Sequence, residues 1–497
     1  RLASLEKASK KEQRTHERIS KLYRPIITPL IENRKLGILF LLSIIGLTAA
    51  LCVTFYTQHV VVKMLPFDNK PEFSVMVNLP EGTAMPVTAN VTHQLAEEIL
   101  KTEEVKAVQT YAGTAQPFNF NGMVRHYYLR QRSWEGELLV MLLDKDDRER
   151  SSHQIAEDAR ARLTPIAEKM GARIAVVEMP PGPPVLQTVV TEIHGPDAET
   201  RREVAAEMMG FFEQAKGVVD VDTYMTEPHE YWRFEVDTEK AVRRGISVDT
   251  INDTLAMSMG GFKLGDVKRG TVLEPTYIVM QVPLAVRSQI TRLGDLPVPT
   301  RDGNTIPLSE LGEFVRDIED PIIYTKDLRG IEYVVGEMEG RLGAPIYGML
   351  YVEDFVREYT TPDGVQMTTM PMNLFGPPKD DFQSGYEWTG EWTVTYETFR
   401  DMGIAFMAAL VLIYGLIVWE FRNFALAGLI MSPIPLTMIG IIPGHWILGA
   451  EFTATSMIGM IALGGIIVRQ SILIVEFVKL EVEKGNEVKE AAVRGAE

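Results

Sequence analysis

The chain has 497 residues, too many for one small domain, and a formal net charge of −17. This acidic balance argues against nucleic acid as a partner, because nucleic-acid-binding surfaces are basic. The single cysteine, Cys52, excludes a disulfide within the chain, and the eight histidines follow no Cys/His zinc spacing. Neither a P-loop nor a GxSxG elbow is present. We therefore expect no enzymatic activity, no cofactor and no nucleotide hydrolysis within these residues.

The chain opens with a basic segment that leads into an apolar run. Residues 1–35 contain ten Lys/Arg and four Asp/Glu. Apolar residues near their end predict an amphipathic helix on the cytoplasmic face of a membrane, broken near Pro25 and Pro29. Residues 36–56 contain no charge and lie too far from the start for a signal peptide. They predict the first transmembrane helix.

Residues 57–180 read as a water-exposed subdomain. Phe73, Val75 and Val77 alternate with polar or smaller residues, which predicts a strand. Pro86 is suited to the first turn of a helix that continues to about residue 101. Further predicted elements are strands at 105–111, 138–143 and 173–178 and a helix at 152–170. The order β-α-β-β-α-β is that of the ferredoxin-like split βαβ unit.

A proline-rich joint at 180–184 precedes a second copy of this pattern. Its predicted elements are strands at 186–194, 218–224, 231–237, 331–338 and 386–393, and helices at 198–216 and 345–359. The copy is interrupted at 238–325, where Asp302-Gly303 lies between two short apolar stretches and predicts a hairpin. We therefore expect a second βαβ subdomain at 181–237 and 326–400, with an inserted domain at 238–325.

Three more apolar runs follow, at 402–421, 425–448 and 454–478, each close to the roughly 20 residues that a spanning helix needs. Lys/Arg residues lie after the first and third of these runs, and the loop between the second and third has none. The positive-inside rule then places both termini, including 479–497, in the cytoplasm and 57–400 on the far side. The fold class is an α+β membrane protein.

The last span carries one charge deep inside, Arg469. At 100° per residue it shares a face with Ala462, Gly465 and Glu476, and we expect this face to point into a helix bundle. An unpaired charge at this depth costs about 2.5–3.5 kcal/mol on insertion scales. Residues 36–56, 402–419 and 425–448 contain no acid, so we expect its acidic partner outside these residues. A fixed ion pair and an ion-coupling role both remain open.

Four stretches carry a family resemblance. They are GIIVRQSILIVEF at 465–477, SPIPLTMIG at 432–440, VDTEKAVRRGISVDTINDTL at 236–255 followed by Gly260-Gly261, and LGDLPVPTRDGNTIPLSELGEF at 293–314. With the order of span, insert and spans, the chain resembles the C-terminal half of a resistance-nodulation-division (RND) efflux transporter of the acriflavine-resistance, hydrophobe/amphiphile multidrug type. The resemblance implies that membrane helices eleven and twelve and the N-terminal half lie outside the chain.

This resemblance implies the permease subunit of a homotrimeric, proton-driven pump in the bacterial inner membrane, with a large periplasmic domain. Such a pump passes amphiphilic or hydrophobic compounds to a periplasmic adaptor (membrane fusion) protein and an outer-membrane channel. The βαβ units would be porter subdomains and the insert a docking domain. Arg469 stands where many members have a proton-relay lysine. Since arginine effectively keeps its proton, we expect a fixed cation that swings between acidic partners on the fourth membrane helix of the other half.

A long connection between Tyr111 and Leu138 is rich in aromatic and methionine side chains. By resemblance it is the switch loop between two drug pockets, with Phe118, Phe120, Met123 and Tyr127 in the substrate pathway. Neighbouring proline and asparagine residues favour a mobile loop for Phe118 and Phe120. Tyr127 and Tyr128 could instead lie on a strand and contact the sheet.

Other functions remain open. Met367, Met370 and Met372 cluster in sequence, and thioethers bind Cu(I), so an RND exporter of Cu(I) or Ag(I) is the first alternative. Methionine is also an ordinary filler of adaptable cores. A membrane-anchored receptor or structural module without transport is the second alternative, and Arg469 argues against it. A membrane enzyme acting on lipids would need an acid, base or nucleophile set, which the sequence does not assemble.

Overall fold

The computed structural model describes residues 20–21, 23–66, 68–179, 182 and 185–496. They fall into two compact units, a larger one that includes 84–225 and 323–496 and an inserted one formed by 226–322 with 80–83. Residues 23–32 are helical; the rest of the predicted amphipathic segment, apart from 20–21 and 33–35, and most of the proline joint lie outside the described residues.

Helix α1 (Arg34–Tyr56) opens the larger unit. The side chain of Asn33 caps it by accepting hydrogen bonds from the backbone N–H groups of Lys35 and Leu36. None of its residues is buried, although the sequence is almost entirely apolar. A helix of this kind needs an apolar environment around it.

The first βαβ unit has the predicted order of elements. They are β1 (Glu72–Asn78), α2 (Met85–Ile99), β2 (Val105–Ala112), α3 (Phe120–Val124), β3 (Glu135–Leu142), α4 (Ser152–Lys169) and β4 (Arg173–Val177). The strands form an antiparallel sheet in the order β2-β3-β1-β4. Helices α2 and α4 cover one face, where Val75, Leu95, Leu138 and Leu163 are buried. Apolar residues at alternate strand positions supply this core.

The second βαβ unit begins with β5 (Val189–His194), α5 (Ala198–Gln214) and β6 (Val218–Thr223). The chain then enters the inserted unit. There the elements are β7 (Glu230–Val236), α6 (Thr238–Arg243), α7 (Val248–Gly260), β8 (Phe262–Val267), β9 (Thr276–Met280), α8 (Leu284–Arg287), α9 (Ile290–Leu293), β10 (Pro297–Pro299), β11 (Thr305–Pro307) and β12 (Gly312–Ile318). Its strands pair as three two-stranded ribbons, β7–β12, β8–β9 and β10–β11. The Asp302-Gly303 hairpin is confirmed, with Val298 opposite Ile306.

The second unit is completed by β13 (Tyr324–Lys326), β14 (Arg329–Met338), α10 (Pro345–Val356) and β15 (Gly385–Thr389). Strand β14 pairs with both β5 and β6, and β15 pairs with the other edge of β5. The order β6-β14-β5-β15 repeats that of the first unit. The core lies between the sheet and helices α5 and α10 and contains Ile193, Phe212, Val334 and Trp388.

One predicted strand belongs to a different unit. We assigned 231–237 to the second βαβ subdomain, but β7 pairs with β12 and contributes to the inserted unit. Most of its residues are exposed, whereas most of β14 is buried. The position beside β6 is covered by helices and therefore selects the more apolar β14. The ring centroids of Phe234 and Phe314 lie 5.1 Å apart and stabilise the β7–β12 ribbon instead.

Four helical segments among the described residues are long and apolar enough to cross a membrane: Arg34–Tyr56, Glu391–Phe421, Phe424–Leu448 and Ala454–Glu483. We name them α1, α11, α12–α13 and α14. The third is divided into α12 (Phe424–Met431), a 3-10 turn at Pro435–Thr437 and α13 (Met438–Leu448), because prolines lack the N–H that a helix requires. Helix α15 (Val488–Ala496) packs on α14.

Candidate functional site

Helix α14 has one packed face and one open face. Gly464 and Val468 are buried against α11 and α12. A Cβ at Gly464 would lie 3.3 Å from Cε2 of Phe406, so α11 and α14 approach each other closely at this glycine. On the predicted face, no described residue lies within 4 Å of a Cβ built at Gly465. The face that packs within this chain is therefore the neighbouring one, and the face of Gly465 is open.

Arg469 lies on the open face of α14, together with Ala462, Gly465 and Glu476, all of which are exposed. The guanidinium has no ion pair with any residue that the structure describes. Beside it is a cavity of about 290 Å³ lined by Ile413, Val468 and other apolar residues. The four residues therefore share one face of α14, as predicted, and the described part of this chain leaves that face exposed.

The aromatic connection between β2 and β3 is more ordered than a plain loop. Asn119 caps α3 by accepting a hydrogen bond from the backbone N–H of Gly122, at 2.7 Å. A 3-10 turn follows at Tyr127–Leu129, so Tyr127 and Tyr128 lie on no strand. Phe118 is 68% exposed. Phe120 and Met123 are exposed as well, and Tyr127 is half-buried.

Two arginines that we did not predict as functional residues hold this connection in place through ion pairs and hydrogen bonds. Arg125 is buried and forms an ion pair with Glu337 on β14 of the second βαβ unit. The hydroxyl of Thr188 donates to the other oxygen of Glu337 at 2.6 Å. Arg130 lies 3.1 Å from Glu137 on β3 and donates to the carbonyl of Val77 at 2.9 Å. The connection is therefore anchored to both βαβ units.

A charged cleft lies between the two βαβ units. On one side Arg160 of α4 donates to both oxygens of Asp220 on β6, at 2.9 and 2.8 Å. Burial raises the pKa of Asp220, although Arg160 opposes this effect. A narrow cavity of about 40 Å³ lies in the cleft, and half of the residues that line it are charged or titratable. Those residues are Lys63, Arg125, His153, Arg160, Glu178, Glu337 and Glu391, and apolar residues such as Leu65 and Val176 line the rest.

The two ring nitrogens of His153 each lie close to a carboxylate in this cleft. Its Nδ1 lies 2.6 Å from Glu178, and its Nε2 lies 3.2 Å from Glu157 one turn further along α4. The hydrogen bond with Glu178 raises the pKa of His153, and burial opposes that shift. A second cavity, of about 370 Å³, adjoins His153 and Lys63. Neither cavity was foreseen, because its residues are far apart in sequence.

Lys63 connects the cleft with the membrane helices. Its ammonium lies 3.1 Å from Glu451 in the turn between α13 and α14, and its side chain is buried. The same turn is held by a parallel bridge between Val62 and Phe452. These contacts join the cleft to the turn that precedes α14.

The three clustered methionines do not share a site. Met367 is buried in the core of the second βαβ unit, whereas Met372 is 71% exposed. Met370 packs at the edge of that core. The core-filling interpretation fits these positions better than a thioether metal site does.

The sequence of the chain is similar to that of known proteins. A model of the AcrB/AcrD/AcrF family matches residues 3–368 and 381–497. The chain belongs to this family of RND efflux transporters. It is therefore a membrane protein, in agreement with its four long apolar helices.

Among the curated relatives, a cation efflux system protein, CzcA of Alcaligenes sp., is 21% identical over 99% of this chain. The cobalt-zinc-cadmium resistance protein CzcA of Cupriavidus metallidurans is 24% identical over 63% of it. The multidrug export protein AcrF of Escherichia coli is 23% identical over 86%. The aligned region spans 44%, 28% and 39% of these relatives, so the chain matches less than half of each.

The fold has a close counterpart among solved structures. A crystal structure of a heavy metal efflux pump aligns over 96% of this chain with a TM-score of 0.71 and 18% sequence identity. The chain covers 45% of that structure. This likeness establishes the fold.

Proposed function

We propose that this chain is the C-terminal half of the permease of a proton-driven RND pump that exports divalent metal cations. The charged cleft between the βαβ units carries the proposal. Its lining includes the carboxylates of Glu178, Glu337 and Glu391 and the imidazole of His153. Such groups are ligands for borderline divalent metals such as Zn²⁺, Co²⁺ and Ni²⁺. An amphiphile site would be mostly apolar. The chain acts as a transporter, not as an enzyme.

The names of the relatives support the same substrate class. Two CzcA proteins are named for cation efflux or for cobalt, zinc and cadmium resistance, and the solved counterpart is called a heavy metal efflux pump. These names favour divalent cations over the Cu(I) or Ag(I) of our first alternative. The scattered environments of Met367 and Met372 also argue against a thioether site.

A growth assay tests the substrate class. The pump that contains this chain is expressed in a Gram-negative host lacking its own metal and drug exporters. We expect raised tolerance to Zn²⁺, Co²⁺, Ni²⁺ or Cd²⁺, lost in Glu178→Gln with His153→Gln, and no change for ethidium. Tolerance to ethidium without tolerance to any of these metals would contradict the proposal.

The coupling role that we propose for Arg469 rests on its place on an uncovered helix face. Acidic residues in the other half of the pump would pair with it, and their protonation would release α14, whose turn with Glu451 leads to Lys63. Arg469→Ala should abolish proton-driven export without preventing assembly. Arg469→Lys should keep some activity, because the charge survives while the planar fork is lost. Parental export by the alanine variant would make the charge structural.

The proposed setting is the inner membrane, with both ends cytoplasmic and 57–400 periplasmic. The inserted unit would serve as a docking domain in a trimer that contacts a periplasmic adaptor and an outer-membrane channel. The Lys/Arg asymmetry of the loops supports this topology. A cysteine introduced at Asp302 should react with an impermeant thiol reagent in spheroplasts, and one at Asn423 should not. The reverse labelling pattern would contradict the topology.

Export of amphiphiles is the second candidate, and two observations favour it. Phe118 and Tyr128 present exposed aromatic rings 5.9 Å apart in the β2–β3 connection. An apolar groove of about 790 Å³ lies at the ends of α1 and α11, lined by residues that include Tyr347, Trp392 and Tyr396. The ethidium arm of the growth assay measures this alternative directly.

A further inference from the structure

A buried polar cluster lies on the face of the second βαβ sheet opposite to the core that α5 and α10 cover. Glu192 and His194 belong to β5 and Glu387 to β15, and one ligand atom from each lies within 4.8 Å of the others. All three side chains are buried. Glu192 and Glu387 are register partners, so they project from the same face, opposite to core residues such as Ile193 and Trp388.

The two carboxylates of this cluster share one counter-charge. The ammonium of Lys326 lies 2.8 and 2.6 Å from the oxygens of Glu192 and 3.5 Å from Glu387. The lysine side chain is 40% exposed. A flexible ammonium group at the solvent boundary can leave the carboxylates when another cation arrives, because lysine makes a point-charge contact on a mobile stem.

The imidazole of His194 has unused donor and acceptor capacity. Neither ring nitrogen has a hydrogen-bond partner among the described residues, although the side chain is 3% exposed. Nδ1 of His194 lies 3.5 Å from the carboxylate of Asp381. Arg329 donates hydrogen bonds to both oxygens of that carboxylate and thereby fixes its orientation. An imidazole beside an oriented carboxylate is the usual arrangement of a metal-ligating histidine.

We propose that Glu192, His194 and Glu387 form a binding site for a divalent transition-metal cation, with Lys326 as the group that the cation displaces. One imidazole and two carboxylates suit Zn²⁺, Co²⁺ or Ni²⁺, and the lack of thiolate and thioether disfavours Cu(I). Thr188, which lies in the cleft, directly precedes β5, and at about 3.3 Å per residue it is about 20 Å from His194 at the other end of that strand. The site is therefore additional to the proposed transport path and does not depend on it.

Co²⁺ binding to the purified, complete pump tests the site. Bound Co²⁺ is followed by its visible absorption and by equilibrium dialysis. We expect His194→Gln and Glu387→Gln each to weaken binding at this site by at least about tenfold. His93→Gln is the matched control, because His93 forms an exposed pair with Glu97 on α2. Equal affinity in the parental protein and both cluster variants would overturn the proposal.

We expect Lys326→Met to change Co²⁺ affinity in the direction opposite to that of His194→Gln and Glu387→Gln. Removing the competing ammonium should tighten Co²⁺ binding and make Co²⁺ raise the melting temperature more than it does in the parental protein. A purely structural Lys–Glu network predicts no Co²⁺ effect in either protein. Unchanged or weaker binding in Lys326→Met would overturn the proposal even if the glutamine variants fail to fold. Because no export is measured, either result leaves the proposed transport function to its own test.

Discussion

Buried charge is arranged differently in the two βαβ units, although their strand orders are the same. On the outer face of the first sheet, Glu137 has an arginine, Arg130, at 3.1 Å and accepts the backbone N–H of Gln116 at 2.9 Å. On the corresponding face of the second sheet, Glu192 and Glu387 share the single ammonium of Lys326. In the first arrangement one carboxylate has an arginine of its own, whereas in the second two carboxylates share one ammonium.

The cores of the two units also differ in whether they contain a buried charged residue. Helix α4 of the first unit buries only small or apolar residues such as Ala159 and Leu163 along its core face. Helix α10 of the second buries Glu353, which accepts hydrogen bonds from Tyr386, Trp388 and Asn373 at 2.6, 2.8 and 2.9 Å. One topology thus accommodates either core, provided that every buried donor has an acceptor. The core of the second unit therefore depends on the side chain of Glu353, which is the acceptor for three buried donors.

The largest expected effect follows from this dependence. Glu353→Ala leaves three buried side-chain donors unpaired, each at a cost of about 1–3 kcal/mol. We expect the second unit to lose about 4 kcal/mol of stability or more, and hydrogen exchange should accelerate in β5 and β15 but not in the first sheet. Asp354→Ala, an exposed neighbour on the same helix, is the control. Equal protection of both sheets in Glu353→Ala would remove the proposed difference between the cores.

Arg125 and Glu337 join the two units, and breaking this pair should have the next largest effect. Arg125→Ala leaves a buried carboxylate without its counter-charge, which costs about 3 kcal/mol or more in chemical denaturation. Replacing both residues with leucine should recover much of that loss, because a buried ion pair is often exchangeable for apolar packing. Arg132→Ala in the same connection should change little. A double variant as unstable as Arg125→Ala would argue against a paired role.

Two histidines should give opposite, smaller pH dependences. The pKa of His153 is raised, so its contribution to stability is present below about 6.5 and is lost as the pH rises through the folded-state pKa. The pKa of His194 is lowered, so its contribution is present above 6.5 and is lost as the pH falls. Thermal melts across this range should show each slope disappearing in His153→Gln and His194→Gln, respectively. Slopes of the same sign would contradict the assignment.

The smallest effect on stability is expected in the β2–β3 connection, which the second unit lacks because the inserted unit occupies that position. Phe118→Ala with Phe120→Ala should change the free energy of unfolding by no more than about 0.5 kcal/mol, because Phe118 is largely exposed and Phe120 is partly so. We expect the set of exported substrates to change while expression stays the same. Unchanged export of every substrate tested would reduce these rings to a structural role.

The sequence predicted the local elements well because their signals are local. Alternation in β1, Pro86 at the start of α2 and Asp302-Gly303 at a hairpin each depend on a few neighbouring residues. It did not predict the ordered turn at Tyr127–Leu129 or the partner of β7. Choosing between β7 and β14 requires comparing how two strands, nearly 100 residues apart, fit beside β6.

The sequence by itself determined where the four apolar helices lie, since length and the absence of charge are sufficient signals. It also located Arg469 as a charge deep inside an apolar run. Only the tertiary structure decided which face of α14 is packed and which residues meet. Arg125 reaches Glu337 across 212 positions, and Glu387 joins Glu192 across 195. Such contacts arise from the global competition of strands and helices for buried surface, which no short-range pattern encodes.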